Sequence, residues 1–283
     1  MQGNMKSTDL KKYENILIMG CDVRDDISEV DNPTEKEKCM RSDAMVVVSM
    51  NKETERIKLV SLERDVLVGV HGYGYIKLNS PVVYGGPKFA MKVINDNFHL
   101  NIKNYVMTGI SNMIEFVDSI GGIDMEITDE EAQYIDEWMP NVRIVSKRND
   151  DVQPLITGGM RHLNGMQTVA HARNRSIGSI YTRGDRINDV LRVLVKKIKT
   201  EYTYTQIVGI GLKSLKYVKT NIGLIKGLKL LRFGMHADLK NIPTYHAPEE
   251  GTFEEKRYGL FRQEVDFEQA TERLWNFLSR DQS

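Results

Sequence analysis

The 283-residue sequence lacks net charge, long apolar runs and all but two cysteines. Lys plus Arg is 39 and Asp plus Glu is 39, so the overall basic footprint of a nucleic-acid binder is absent. No helix-turn-helix pattern replaces it. The densest apolar run, AMVVVSM at 44–50, is strand-sized and far short of the roughly 18 residues that span a bilayer. No charged-then-apolar leader precedes it, so the chain as given reads as soluble. The P-loop, nucleophile-elbow and H-E-x-x-H patterns are missing, as is any C-x₂-C pair for structural zinc. What remains is an ordinary globular composition, 41% hydrophobic and 28% charged, long enough for a buried core.

The zero net charge conceals an asymmetry. Residues 1–150 carry 18 basic and 25 acidic side chains, whereas 151–283 carry 21 and 14. Within 156–235 the count is 15 against 3, which suits either solvated helix faces or a basic wall for a polyanion such as a phosphate ester. Cys21 and Cys39 bracket an acidic segment. They read either as a disulfide closing that loop, worth about 3 kcal/mol, or as two unrelated buried thiols.

Residues 1–14 are polar and read as a flexible lead-in to one domain over 15–283. NILIMG (15–20), AMVVVSM (44–50) and IKLVSLE (57–63) have the β-branched density of strands buried on both faces. The acidic stretch 22–43 reads as a surface loop, and 51–55 as a turn. Helical spacing follows from Pro87, then a strand at 105–110 and a helix capped by Ser111. Gly121-Gly122 ends that helix before the strand IDMEI, 123–127. Residues 128–160 show no clear pattern, and after Gly158-Gly159 the chain reads as mostly helical. Strands alternating with helices predict an α/β fold with a mainly parallel or mixed sheet covered on both sides.

Asp and Arg recur at the strand ends: Asp22 and Arg24 after the first, Arg41 and Asp43 before the second, Arg64 and Asp65 after the third. If strands one and three are parallel neighbours, their carboxyl ends share the edge where open α/β sheets bind ligands. Paired carboxylates there favour a hard cation such as Mg²⁺, and the arginines suit phosphate oxygens. A second set comprises Arg173 and Arg175 in HARNR, then Arg183 and Arg186 in TRGDR. Arg183 and Arg186, three apart near a helix start, face one way and can share an anion with the helix N-terminus. The GYGY at 72–75 is too short to serve as a nucleotide loop.

NILIMGCDVR, RSDAMVVVSMNKETERIKLVSLERD, YIKLNSPVVYGGPKFAMKVI, FVDSIGGIDMEI and GGMRHLNGMQTVAHARNRSIGSIYTRGDR occur in that order over roughly 15–190. In these five blocks the chain resembles the LytR–CpsA–Psr family of cell-envelope phosphotransferases. The resemblance implies an α/β/α sandwich whose central mixed sheet is covered by helices on both faces. It implies Mg²⁺-dependent transfer (Mn²⁺ being an alternative) of a teichoic acid or capsular type of glycopolymer from a polyprenyl-pyrophosphate carrier to peptidoglycan. By motif, Asp22 and Asp43 are the expected metal ligands. The resemblance implies that Arg64, Arg173, Arg175 and Arg183 form the pyrophosphate clamp with Lys77, that Arg186 is a further substrate-binding residue, and that Asp22, Asp43, Arg64 and Arg173 carry the catalysis. Asp22, Asp43 and Asp65 are all candidates for the base.

Two alternatives stay open: a pyrophosphatase acting on polyprenyl or nucleoside pyrophosphates, and a non-catalytic polyprenyl-phosphate-binding or regulatory protein. The implied partners are the lipid-linked glycan, peptidoglycan and the membrane surface, with no nucleic acid. The implied location is the outer face of the cytoplasmic membrane of a Gram-positive-type bacterium, through an N-terminal anchor absent from this chain. An oxidising location favours the Cys21–Cys39 bridge. The sequence departs from the family pattern at Glu63, Ile180 and Ile187, where Pro, Asp and Gln are usual; Glu63 is expected to set a negative charge beside the clamp.

Overall fold

The computed structural model describes residues 9–21, 41–174, 180–239, 242–258 and 260–280, without the side chains of 9, 10, 180–183, 257, 258 and 260. The sequence suggests one domain, and the described residues cluster into two compact units. One takes those up to Gly20, from 41 to Met107, and from Thr220 onward; the other takes Cys21 and Thr108–Lys219. Asp22, Arg24, Cys39 and Arg175 lie outside the described residues, as does the side chain of Arg183.

A 3₁₀ turn, Asp9–Lys12, leads into β1 (Tyr13–Cys21), two residues earlier than the sequence suggests. Tyr13 accounts for the early start: its ring is buried against Trp275 and its hydroxyl donates to Leu278 O at 3.3 Å. β2 (Ser42–Asn51) and β3 (Arg56–Leu62) form an antiparallel hairpin. Asn51 Oδ1 closes its turn by accepting from Glu53 N and Thr54 N at 2.9 and 3.3 Å. Next come a small hairpin, β4 (Leu67–Val70) and β5 (Gly74–Lys77), then α1 (Pro81–Phe98) and β6 (Asn104–Gly109).

The second unit contains α2 (Ile110–Ser119), β7 (Ile123–Ile127), α3 (Asp129–Ser146), β8 (Gly159–Leu163), α4 (Gly165–Ala172), α5 (Ile180–Glu201) and α6 (Tyr204–Ser214). The chain returns through β9 (Lys219–Thr220), α7 (Leu224–His236), β10 (Thr244–Ala247), the hairpin β11 (Phe253–Tyr258) and β12 (Leu260–Val265), and α8 (Phe267–Ser279). Strands β10 to β12 break the helical run expected after Gly159. Among the described residues, no helix is long and apolar enough to cross a membrane.

The first unit is built on a six-stranded sheet in the order β10-β3-β2-β1-β6-β9. It is mixed: β10 runs parallel to β3, and β2 antiparallel to it. The α/β class with a mixed sheet is thus as expected, but strands one and three are not neighbours. The short turn at 52–55 forces β2 to fold back beside β3, which seats β2 between them. Leu17, Met19, Val46, Val47, Leu59 and Val60 are buried along the three strands, each burial being worth about 1.5–3 kcal/mol. Lys58 is buried too. Its Nζ donates to the carbonyls of Phe277, Leu278 and Arg280 at 2.6–2.9 Å, so one ammonium satisfies the open carbonyls at the C-terminus of α8.

In the second unit, Ile114, Val117, Ile123, Ile135, Leu163 and Met166 form one apolar core. Residues 129–146, patternless by sequence, are α3, with Thr128 its N-cap. Thr128 accepts from Glu131 N, and Glu131 Oε2 accepts from Thr128 N, both at 3.1 Å. Ser111, expected to cap α2, sits inside it; Gly109 is the N-cap. Gly121 and Gly122 both have positive φ, as a left-handed helix exit requires.

Candidate functional site

The β2–β3 register fixes the centre of the site. Val46 faces Ser61 and the ladder runs antiparallel, so extending it by three places sets Asp43 opposite Arg64. Arg64 Nη1 donates to Asp43 Oδ1 and its Nε to Asp65 Oδ2, both at 3.0 Å. The other oxygen of Asp65 accepts from Lys77 Nζ at 2.6 Å. Two carboxylates and two cations are thus interlocked at one end of the hairpin, half-buried. Among the described residues, Arg64 Nη2 has no hydrogen-bond partner. Burial works against the guanidinium charge, but Asp43 and then Asp65 outweigh it, and the Arg64 pKa is held above its ordinary value.

The segment KLNS, 77–80, is stitched into this corner by its backbone. Asn79 N donates to Arg64 O, Leu78 N to Val66 O, and Ser42 N to Asn79 O. Gln263 N of β12 donates to the backbone carbonyl of Asp65 at 3.1 Å and fixes the main chain there. With both strand ends fixed by hydrogen bonds, the guanidinium is oriented before any ligand arrives. That is the preorganisation by which a cation binds a phosphoryl oxygen strongly.

The expected negative charge of Glu63 beside the clamp is not seen. Strand alternation turns Glu63 away from Arg64, and its Oε1 lies 3.8 Å from His246 Nδ1 on the adjoining β10. Arg41 is exposed.

The second unit carries the other arginines. Its LNG turn is fitted closely: Asn164 and Gln167 form a capping box at the start of α4, and a side chain on Gly165 would stand 2.2 Å from Ile114 O. Asp118 Oδ1 accepts from Gly165 N at 2.7 Å and locks the turn to α2. Arg173 is the C-cap residue of α4, half-buried, where a cation complements the helix dipole. Arg183 lies in α5.

Arg186 is placed differently from the exposed helix face expected. The sequence suggests a side chain open to an anion, whereas the Arg186 side chain is buried and its Nε donates to Glu131 Oε1 at 2.8 Å. Burial alone would raise the Glu131 pKa, but hydrogen bonds from Arg186 and Thr128, with the charges of His171 and Arg186, hold it below the ordinary value. This pair ties α5 to the N-terminus of α3. The T-x-x-E spacing of Thr128 and Glu131 is the sequence signal for that helix N-terminus, not for the pair.

Among the described residues, no group of three or more His, Cys, Asp or Glu side chains could hold a metal ion. Asp43 has the hard carboxylate oxygens that Mg²⁺ takes. Its expected partner, Asp22, lies outside the described residues. Cys21 is buried at the end of β1, and the bridge to Cys39 falls outside the described residues.

The model of the LytR_cpsA_psr family matches residues 2–276. The chain belongs to this family. Biofilm regulatory protein A of Streptococcus mutans is 29% identical over 86% of this chain and 58% of its own length. From Bacillus subtilis, the polyisoprenyl-teichoic acid–peptidoglycan teichoic acid transferases TagV and TagT are 27% and 25% identical, over 83% and 77% of this chain. The chain spans 56–65% of the length of these three relatives. Solved family structures share the fold: B. subtilis TagV at TM-score 0.71 and 23% identity, covering 98% of this chain and 100% of that one. TagT with bound octaprenyl pyrophosphate lipid matches at 0.65 and 21%, covering 98% and 95%.

Proposed function

We propose that this chain transfers a glycopolymer from a polyprenyl-pyrophosphate carrier to peptidoglycan, at the outer face of the cytoplasmic membrane. The observation that carries the reading is Arg64, gripped by Asp43 and Asp65 beside Lys77 with Nη2 left to a ligand. The family relatives named as teichoic acid transferases, and the TagT structures with octaprenyl pyrophosphate and with LIIa-WTA, support it.

Chemically, an acceptor hydroxyl attacks the phosphorus that carries the sugar, and the bridging P–O bond breaks to release polyprenyl phosphate. Arg64 and Lys77 neutralise charge on the pyrophosphate, while a carboxylate of the same cluster takes the hydroxyl proton. Both Asp65 oxygens already accept from cations, which disfavours it as the base. Mg²⁺, held by Asp43 and Asp22, belongs to the proposal; bound there, it supplies further neutralisation of the pyrophosphate. The family motif brings Arg173, Arg175 and Arg183 into the proposal as phosphate-binding cations.

The test is product analysis with a lipid-linked glycopolymer, with and without peptidoglycan, in EDTA and after Mg²⁺ is restored. Polymer joined to peptidoglycan with release of polyprenyl phosphate, lost in chelator and regained with Mg²⁺, is the expected result. Equal release into water without peptidoglycan makes the protein a pyrophosphatase. Lipid binding without turnover makes it a carrier or regulator.

A further inference from the structure

The phosphoryl site leaves much of the basic segment of the sequence unused. Between Glu201 and Asp238 stand six Lys or Arg and no Asp or Glu. The last part of that stretch is α7, none of whose residues is buried. Leu224, Leu228 and Arg232 stand four apart on one face, with Ile225 and Lys229 beside them. Leu224 is 62% exposed, Ile225 74% and Leu228 37%. Lys229 and Arg232 are exposed and have no ion-pair partner among the described residues.

The start of α7 is bonded to one end of the six-stranded sheet. Asn221 Oδ1 accepts from Tyr105 N at 2.9 Å, and Asn221 Nδ2 donates to Lys103 O at 2.8 Å. Lys226 Nζ lies 2.6 Å from Glu14 Oε1 and also donates to Asn104. The first turns of α7 thus sit where β1 and β6 begin. β2 ends there too, since Lys52 N donates to Lys12 O at 2.9 Å. That end is cationic. Lys11, Lys52 and Lys103 line one recess of about 150 Å³, each exposed and without an ion-pair partner among the described residues. Of the acids beside them, Glu14 is held by Lys226 and Glu53 by Lys12, at 2.6 and 3.1 Å, while Glu55 is exposed and offsets one lysine.

Bare leucine and isoleucine side chains joined to unpaired lysines fit one kind of surface. On an anionic bilayer the ammonium groups meet lipid phosphates, and the aliphatic tips enter the headgroup boundary. A soluble polyanion would use the charges but not the aliphatic side chains. We propose that this end of the first unit, the first turns of α7 with Lys11, Lys52 and Lys103, docks onto a bilayer of anionic phospholipid. β2 carries the chain about 30 Å from Lys52 to Asp43, so the phosphoryl cluster lies at the far end of the sheet from the docked face. The inference rests on the proposed function only for the membrane location, and vesicle binding and transfer are measured apart.

The probes are vesicles of phosphatidylcholine alone and of an equal mixture with phosphatidylglycerol, sedimented with the full chain. The wild type should bind the mixed vesicles, bind phosphatidylcholine alone far more weakly, and lose affinity as salt is raised. Lys11→Gln/Lys52→Gln/Lys103→Gln should weaken binding about a hundredfold, about fivefold per lysine. Leu224→Ser/Ile225→Ser should weaken it about tenfold and leave the salt dependence in place. Both variants should match the wild type in urea unfolding and in transfer from a short-chain, water-soluble donor. No binding of the wild type to the mixed vesicles, or wild-type binding by the lysine variant, overturns the proposal. Wild-type binding by the serine variant, with soluble polyphosphate competing for the protein, assigns the lysines to a soluble polyanion and also overturns it. Vesicle binding as expected by a wild type that transfers nothing refutes the transfer reading and leaves the docking face standing.

Discussion

Replacing Arg186 with Ala should unfold the second unit more readily rather than disable a phosphate clamp. The side chains of Arg186 and Glu131 are only 8% and 15% exposed, and their 2.8 Å bond joins α5 to the capping box of α3. Truncating one partner leaves the Glu131 carboxylate buried without its cation. Such a loss at a partly buried pair costs about 1–3 kcal/mol, or roughly five- to a hundredfold in the folding equilibrium. The pH dependence carries a sign. The folded pKa of Glu131 lies below its ordinary value, so the pair's stabilisation is present above about pH 4.5 and is lost as pH falls through the folded pKa. Urea unfolding followed by circular dichroism at pH 7 and pH 4 should therefore show a large deficit for Arg186→Ala at pH 7 and a smaller one at pH 4. Glu131→Gln added to Arg186→Ala should recover part of the loss, because the amide carries no charge to strand. An Arg186→Ala protein that unfolds with the wild type yet loses transfer would refute this reasoning and return Arg186 to the clamp.

Three other outcomes follow from the packing. Lys58→Met should cost about 2–4 kcal/mol in urea unfolding, since three carbonyls at the end of α8 lose their shared donor. Gly165→Ala should be destabilising by about 2 kcal/mol or more, because the new methyl meets the rigid backbone of Ile114 rather than a side chain that can turn away. His171 has its pKa lowered, chiefly by burial and further by Arg186, against opposing pulls from Glu131 and Asp189. The unfolded chain then binds more protons than the folded one just below pH 6.5. Stability should therefore rise from pH 5 to 7, and His171→Phe should flatten that part of the profile.

The strands of the sheet centre were legible because AMVVVSM and IKLVSLE are buried on both faces and leave a continuous apolar signature. Their order was not. Parallel neighbours were expected for strands one and three, and only the four-residue turn after Asn51 decides for a hairpin. An antiparallel register still sets Asp43 against Arg64. Segment 128–146 hid its helix because only one stripe of α3 is buried and Pro140 interrupts the pattern, although Thr128 and Glu131 announce its start. Strands β10 to β12 are short, and β11 carries Glu254, Glu255, Lys256 and Arg257 in a row, so neither strand period nor β-propensity marked it. For Arg186, helical spacing gave the direction relative to Arg183 but not the acidic partner from another helix. Pairing across 55 residues of sequence is invisible to a local pattern.

The central claim is that the carboxylate-gripped guanidinium of Arg64 receives a pyrophosphate. Isothermal titration of a short-chain prenyl pyrophosphate into the wild type, Arg64→Ala and Arg64→Lys tests it most directly, with urea unfolding as the check on folding. The wild type should bind. Arg64→Ala should lose about 2–3 kcal/mol of binding, at least thirtyfold in Kd, and Arg64→Lys should recover only part, lacking the forked donors. Wild-type affinity in a folded Arg64→Ala protein would contradict the claim, leaving Arg64 as a structural partner of Asp43 and Asp65.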